Sequence, residues 1–148
     1  MTLPIKALAL TAIALGLAAA AVQARPLTPA EKRDHAYTAR LPACDDPAVL
    51  DKIRSRFHDR EVEYWKSGLE IGGYDRVREI GWRSWGLDHI PRRYCMARAY
   101  MNDRRLRQVS YAIGEGLEMI GWSWGVEWCV HGLDRNNAFA PGCKMARP

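Results

Sequence analysis

Residues 94–131 alternate with a period of two, and nothing else in the chain restricts its fold as tightly. In 94–101, Cys95, Ala97, Ala99 and Met101 alternate with Tyr94, Met96, Arg98 and Tyr100. Such alternation describes a strand with one face on a core and the other toward water. Further on, Val109, Tyr111 and Ile113 alternate with Gln108, Ser110 and Ala112. A third run sets Trp122, Trp124, Val126, Trp128 and Val130 on one parity, with Ser123, Gly125, Glu127, Cys129 and His131 on the other. Three consecutive antiparallel strands, a meander, accommodate all three runs. Matching the apolar faces fixes a register. Ala99 falls opposite Val109, Ala97 opposite Tyr111 and Cys95 opposite Ile113, with Asp103, Arg104 and Arg105 as the hairpin loop. A three-residue loop usually needs one residue at positive φ, and with no glycine available Asn102 or Asp103 is expected to supply it. Gly114, Gly116 and Gly121 suit a turn or bulge in the next connection.

The meander's apolar face needs a cover, and residues 47–66 provide one. Val49, Leu50, Ile53, Phe57 and Tyr64 recur at helical spacing, with Arg54, Arg56, Asp59 and Arg60 facing outward. Asp46 caps the start, Pro47 fits the first turn and Gly68 is the expected stop. Residues 67–74 hold three glycines and read as a turn region. Residues 76–85 read as a strand paired with 94–101, although Val77 falls on the opposite parity from Ile80 and Trp82. The expected fold is α+β: one main helix packed on a four-stranded antiparallel sheet. That order resembles the cystatin-like group of folds, a topological likeness that implies no activity.

The N-terminus belongs to a different class of sequence. Lys6 precedes an apolar run over 7–21, then Val22-Gln23-Ala24. A charged start, a hydrophobic stretch and a small-x-small site describe a secretory signal peptide, with cleavage expected after Ala24. An uncleaved membrane anchor is the alternative, but the run is short for a span. Residues 25–43 form an N-terminal arm or short helix, with Thr28-Pro29-Ala30-Glu31 as a capping box. Residues 44–148 form a single domain. An exported chain with Cys44, Cys95, Cys129 and Cys143 is expected to carry two disulfides. The gaps of 51, 34 and 14 residues do not match a zinc site. Cys95 starts the first meander strand and Cys129 ends the third, which should hold them at opposite ends of the sheet. Cys44–Cys95 with Cys129–Cys143 is therefore the favoured pairing.

The chain of 148 residues carries a formal charge of +5. This excess is modest. It suits an anionic envelope component or a periplasmic protein as partner, and nucleic acid is not expected. The candidate ligand face is the side of the sheet away from the helix: Tyr94, Arg98, Tyr100, Ser110, Glu127 and His131, with Met96 and Gln108 beside them. Arg92, Arg93 and Arg105 lie at its rim. Arginine supplies bidentate hydrogen bonds and tyrosine flat contact area. The competing description is an ordinary solvent-facing sheet side.

Other constellations carry less. The tryptophans at 122, 124 and 128 share parity with Val126 and Val130, a core pattern rather than a sugar platform. His35, His58, His89 and His131 show no metal-ligand spacing. Ser110, His131 and Asp134 can be drawn as a triad, and Glu61/Glu63 and Glu115/Glu118 as carboxylate pairs, but no nucleophile, zinc-protease or phosphate-loop motif accompanies them. No cofactor is implied.

Ile90-Pro91-Arg92-Arg93 before Tyr94-Cys95, with Cys129-Val130 and Gly132-Leu133-Asp134-Arg135, resembles a pattern of small exported proteobacterial proteins of unknown function. That resemblance would cover most of the mature chain and implies no activity. The expectation is a non-enzymatic periplasmic or secreted binding module held by disulfides. The alternative is a cell-wall hydrolase inhibitor or a small secreted hydrolase.

Overall fold

In the computed structural model the described residues are 37–83, 90–118, 121 and 123–148. Helix α1 (Pro47–Arg60) lies against an antiparallel sheet of β1 (Ile71–Arg83), β2 (Arg92–Met101), β3 (Leu106–Gly114) and β4 (Gly125–Val130), in the spatial order β1-β2-β3-β4. This is the expected helix-plus-meander architecture. The signal peptide, the 28–31 capping box, His35, the last two residues of the 76–85 strand, His89 and Trp122 all lie outside the described residues.

Asp46 accepts the Ala48 amide at 2.9 Å and Pro47 occupies the first turn, so α1 begins where its side chains relieve the unpaired amides. Val49, Ile53 and Phe57 are fully buried. The next position on that stripe is Glu61 rather than an apolar residue. The chain there widens into a π-helical turn, Glu61–Trp65, and stops at Lys66, which takes the left-handed conformation at φ 50°. Tyr64, expected on the apolar stripe, is 70% exposed. The wider turn rotates it off the face that Glu61 now occupies.

The core joins α1 to one sheet face: Val109, Tyr111 and Ile113 of β3, Val126, Trp128 and Val130 of β4, and Cys95, Ala97, Ala99 and Met101 of β2. Phe57 meets the Trp128 ring edge-on at 5.9 Å. The Tyr111 hydroxyl donates to the Cys44 carbonyl at 2.6 Å, so a buried phenol has its partner.

The β2–β3 register differs from the expected one by two residues. Ala97 pairs with Val109, Cys95 with Tyr111 and Arg93 with Ile113. A shift of two preserves every face, so apolar patterning alone could not decide it. The loop is Asn102-Asp103-Arg104, and Arg104, at φ 63°, takes the left-handed position rather than Asn102 or Asp103. Residues 71–74, expected as a turn, belong to β1. That strand carries register shifts between Asp75 and Arg78 and between Glu79 and Gly81. At the first, Arg76 and Val77 together oppose one residue of β2, and Arg76 sits at φ 49°. The second shift leaves Ile80 unopposed, so Val77 and Trp82, which lie on the same side of the sheet, fall on opposite parity in the sequence.

Both disulfides form as favoured, Cys44–Cys95 and Cys129–Cys143. Cys95 and Cys129 do not lie at opposite ends of the sheet, as the strand order suggested. Through Tyr111, Cys95 is level with Trp128, the neighbour of Cys129. The two cysteines instead belong to opposite sheet faces. Cys95 joins the core beneath α1, whereas Cys129 and Cys143 pack with Ala146 and Phe139 in a second, smaller core. That second core is the C-terminal tail folded over the outer sheet face. Gly81 lies under the end of this tail: a Cβ there would stand 2.9 Å from Pro148 Cγ.

Candidate functional site

The outer sheet face is divided. Its end around Gly81, Tyr94, Ser110, Ala112 and Cys129 lies under the C-terminal tail, and its end around Arg76, Arg98, Leu106 and Gln108 is open. The cover comes from the Cys129–Cys143 bond and a short 3₁₀ turn, Lys144–Ala146, whose Ala146 is fully buried. The six residues expected to share one ligand face therefore fall into separate groups.

Tyr94 is buried, with Arg83 at 5.8 Å over its ring. Ser110 is fully buried and hydrogen-bonded to His131 Nε2 at 2.8 Å. Desolvation, followed by the charge of Arg147, lowers the His131 pKa below its ordinary value. Both effects disfavour the imidazolium. Glu127 pairs with Arg92 across the small residues of β3. Asp134, third member of the drawn triad, accepts the Phe139 amide at 2.9 Å and serves the tail's turn. Arg93, expected at the rim of this face, lies on inward parity, pairs with Glu79 and stacks on Trp82 at 4.8 Å.

Arg98 and Tyr100 remain on the open side and meet at a residue that sequence reading missed. Asp75 Oδ1 accepts Arg98 Nε at 2.7 Å, Asp75 Oδ2 accepts a second Arg98 nitrogen, and the Tyr100 hydroxyl donates to Asp75 Oδ2 at 2.6 Å. The hydrogen bonds from Arg98, then Tyr100, lower the Asp75 pKa to about 2. The same bonds raise the Arg98 pKa above its ordinary value. The guanidinium is thereby held flat and charged beside β1.

Next to this clamp is a shallow depression of about 260 Å³, lined by Arg76, Arg78, Met96, Ala97, Arg98, Leu106, Arg107 and Gln108. Its four cations are not equivalent. Asp75 holds Arg98, and Asp103 holds Arg107 through two bonds of 2.9 and 2.7 Å. Arg76 and Arg78 are exposed and form no ion pair among the described residues; Arg78 touches only the Met96 sulfur, at 3.6 Å. Gln108 reaches the same sulfur at 3.0 Å. Leu106 is 51% and Tyr100 45% exposed, so apolar surface lies beside the unpaired guanidiniums.

Sequence reading missed Asp75, Arg76 and Arg78 as site residues because 67–74 looked like a turn and the bulge broke the alternation that follows. The parity break at Val77 was the available signal.

Other groups considered from sequence have structural partners. Glu115 accepts the amides of Thr38 and Ala39, each at 2.8 Å, and anchors the chain ahead of α1. Glu118 pairs with Lys52 at 2.6 Å and Arg56 at 3.0 Å. Glu61, fully buried, pairs with Arg135 at 3.0 Å and accepts the Ser67 hydroxyl. His58 lies 3.3 Å from Glu70. Trp124 is partly buried, with Lys52 4.4 Å over its ring. No group of three or more His, Cys, Asp or Glu side chains among the described residues is placed to hold a metal ion. Comparison with protein-family models, curated proteins and solved structures returned no match for this chain.

Proposed function

We propose that this protein is an exported, disulfide-stapled binding module, and that it engages an anionic group on its partner through the open half of the outer sheet face. The observation that carries the reading is the pair of exposed guanidiniums, Arg76 and Arg78, without an ion pair among the described residues, beside an Arg98 already oriented by Asp75. Arginine is the side chain best shaped to donate paired hydrogen bonds to carboxylate or phosphate oxygens. Fixing Arg98 in advance reduces the ordering cost that a flexible side chain would incur on binding. Two observations support export: the leader-like run over 7–21, and the pairing of all four cysteines. Paired cysteines suit an oxidising compartment.

Amide shifts in ¹⁵N-labelled protein titrated with a ten-residue glutamate peptide test the reading. Perturbation is expected at 75–78, 96–98 and 106–108, and its loss in the Arg76→Glu/Arg78→Glu double variant. Shifts that spread elsewhere, or survive the reversal, would refute the site. Export is tested separately by the mass of the protein recovered from the periplasm: a chain starting at Arg25 with both disulfides is expected.

A second reading, a small hydrolase, draws on the 2.8 Å Ser110–His131 hydrogen bond. Against it stands the complete burial of Ser110 under the tail. Labelling of native protein by a fluorophosphonate at Ser110 would favour it over the binding reading.

A further inference from the structure

We infer that the occupant of this depression is an acidic side chain flanked by apolar ones on another protein, rather than a free small anion, a nucleic acid or a lipid surface. The inference rests on the proposed anion-binding face and specifies its partner.

Size comes first. A depression of about 260 Å³ open along one side does not enclose a ligand. Small-molecule sites usually run from about 300 to 1,000 Å³ and bury most of their occupant. A small anion here would stay in contact with water, where a single ion pair is worth little. Useful affinity needs further surface outside the depression, and a macromolecule supplies it.

Asp75 stands beside the cations of the depression, accepts Arg98 Nε at 2.7 Å and stays ionised, its pKa lowered to about 2 by hydrogen bonds from Arg98 and Tyr100. A nucleic-acid backbone or an anionic membrane presents negative charge at every step and would meet this carboxylate as well. A localised carboxylate can meet Arg76 and Arg78 without crowding them. Mixed charge in a binding face favours partners with matching local pattern and rejects uniform ones.

The depression also has an apolar floor at Met96 and Leu106. Met96 is adaptable and polarizable, a side chain common where binding surfaces remould to their partners. Leu106 and Tyr100 add exposed apolar and aromatic surface beside it. Aromatic, Met and Arg side chains are those enriched in protein interfaces. Bare phosphate or polyglutamate would leave this apolar surface unused.

The test compares labelled probes on full-length mature protein by fluorescence anisotropy. The probes are a Glu-Leu alternating decapeptide, a Glu-Ser decapeptide of equal charge, a ten-residue deoxythymidine strand, and vesicles of phosphatidylglycerol. The Glu-Leu peptide is expected to bind at least tenfold more tightly than any of the others. Leu106→Ser should remove that preference, weakening the Glu-Leu peptide to the affinity of the Glu-Ser peptide. Arg76→Gln/Arg78→Gln should weaken both peptides tenfold or more, with an unaltered circular dichroism spectrum as the check on folding. Equal affinity for the two peptides, or tighter binding of DNA or vesicles with the same arginine dependence, would overturn the inference and leave the anion-binding face standing. No binding of any acidic probe would overturn both.

Discussion

Asp75 and His131 are two side chains whose protonation should be readable in the stability of the fold, and they act in different pH windows. The Asp75 pKa lies at about 2, below its ordinary 3.8, because three hydrogen bonds favour the carboxylate. A depressed carboxylate stabilises the folded state fully above its unfolded value. That contribution is lost as pH falls from about 4 toward 2. Denaturant midpoints should therefore drop across this window in the wild type and drop less in Asp75→Asn. His131 is also depressed, by burial and then by Arg147. For a cationic acid the unfolded chain then binds the proton more readily. Stability is complete above the ordinary value of 6.5 and declines as pH falls below it. Midpoints at about pH 7.5 and pH 5 should differ more in the wild type than in His131→Gln, and an unchanged difference would remove His131 as the cause.

Within strand β1 the bulge holds an arginine where glycine is the low-energy residue. Arg76 sits at φ 49°, and left-handed backbone costs a residue with a Cβ about 1–2 kcal/mol. Arg76→Gly should raise unfolding stability by about 1 kcal/mol, some of the gain being offset by glycine's greater unfolded-state freedom. The same variant should shrink the amide shifts on glutamate-peptide titration. Stability gained with binding lost is the expected sign of strain kept at a functional position. This element also shows what a sequence pattern conveys. In β2, β3 and β4 alternation gave the faces, since each residue has one of two sides. It did not give register, because a slip of two residues returns every side chain to its own side. In β1 the shifts at Arg76–Val77 and at Ile80 each insert a residue that belongs to neither side, so the strand start and the placing of Arg76 and Arg78 were obscured. Glu61 was illegible for a related reason. Its burial depends on Arg135 and Ser67, which reach it from elsewhere in the chain and share no local pattern with it.

Across the whole molecule, the two disulfides fasten different things. Cys44–Cys95 spans 51 residues and ties the start of α1 to the sheet; Cys129–Cys143 spans 14 and closes the tail on the outer face. The chain-entropy model assigns about 4 kcal/mol to the first and about 3 kcal/mol to the second. Replacing Cys129 and Cys143 by alanine should lower unfolding stability by about the smaller figure. It should also speed hydrogen exchange at 110, 112 and 129 while exchange at 49–57 follows global unfolding only. Uniform acceleration at both sets would mean that the tail is part of the main cooperative unit. The candidate ligand face was only half legible for the same reason. Alternation shows which side chains leave the core, and it is silent on whether a distant tail returns to cover them.

The tail's partial cover also sets which positions tolerate substitution. Along β3, Ser110 and Ala112 share outward parity with Leu106 and Gln108, yet the first pair is buried and the second exposed. A saturation library would find one face of a single strand obeying two rules. Positions 106 and 108 accept most residues, whereas 110 and 112 reject anything larger than the residue already there. The surface can therefore drift at one end of the strand while the other end keeps the scaffold unchanged.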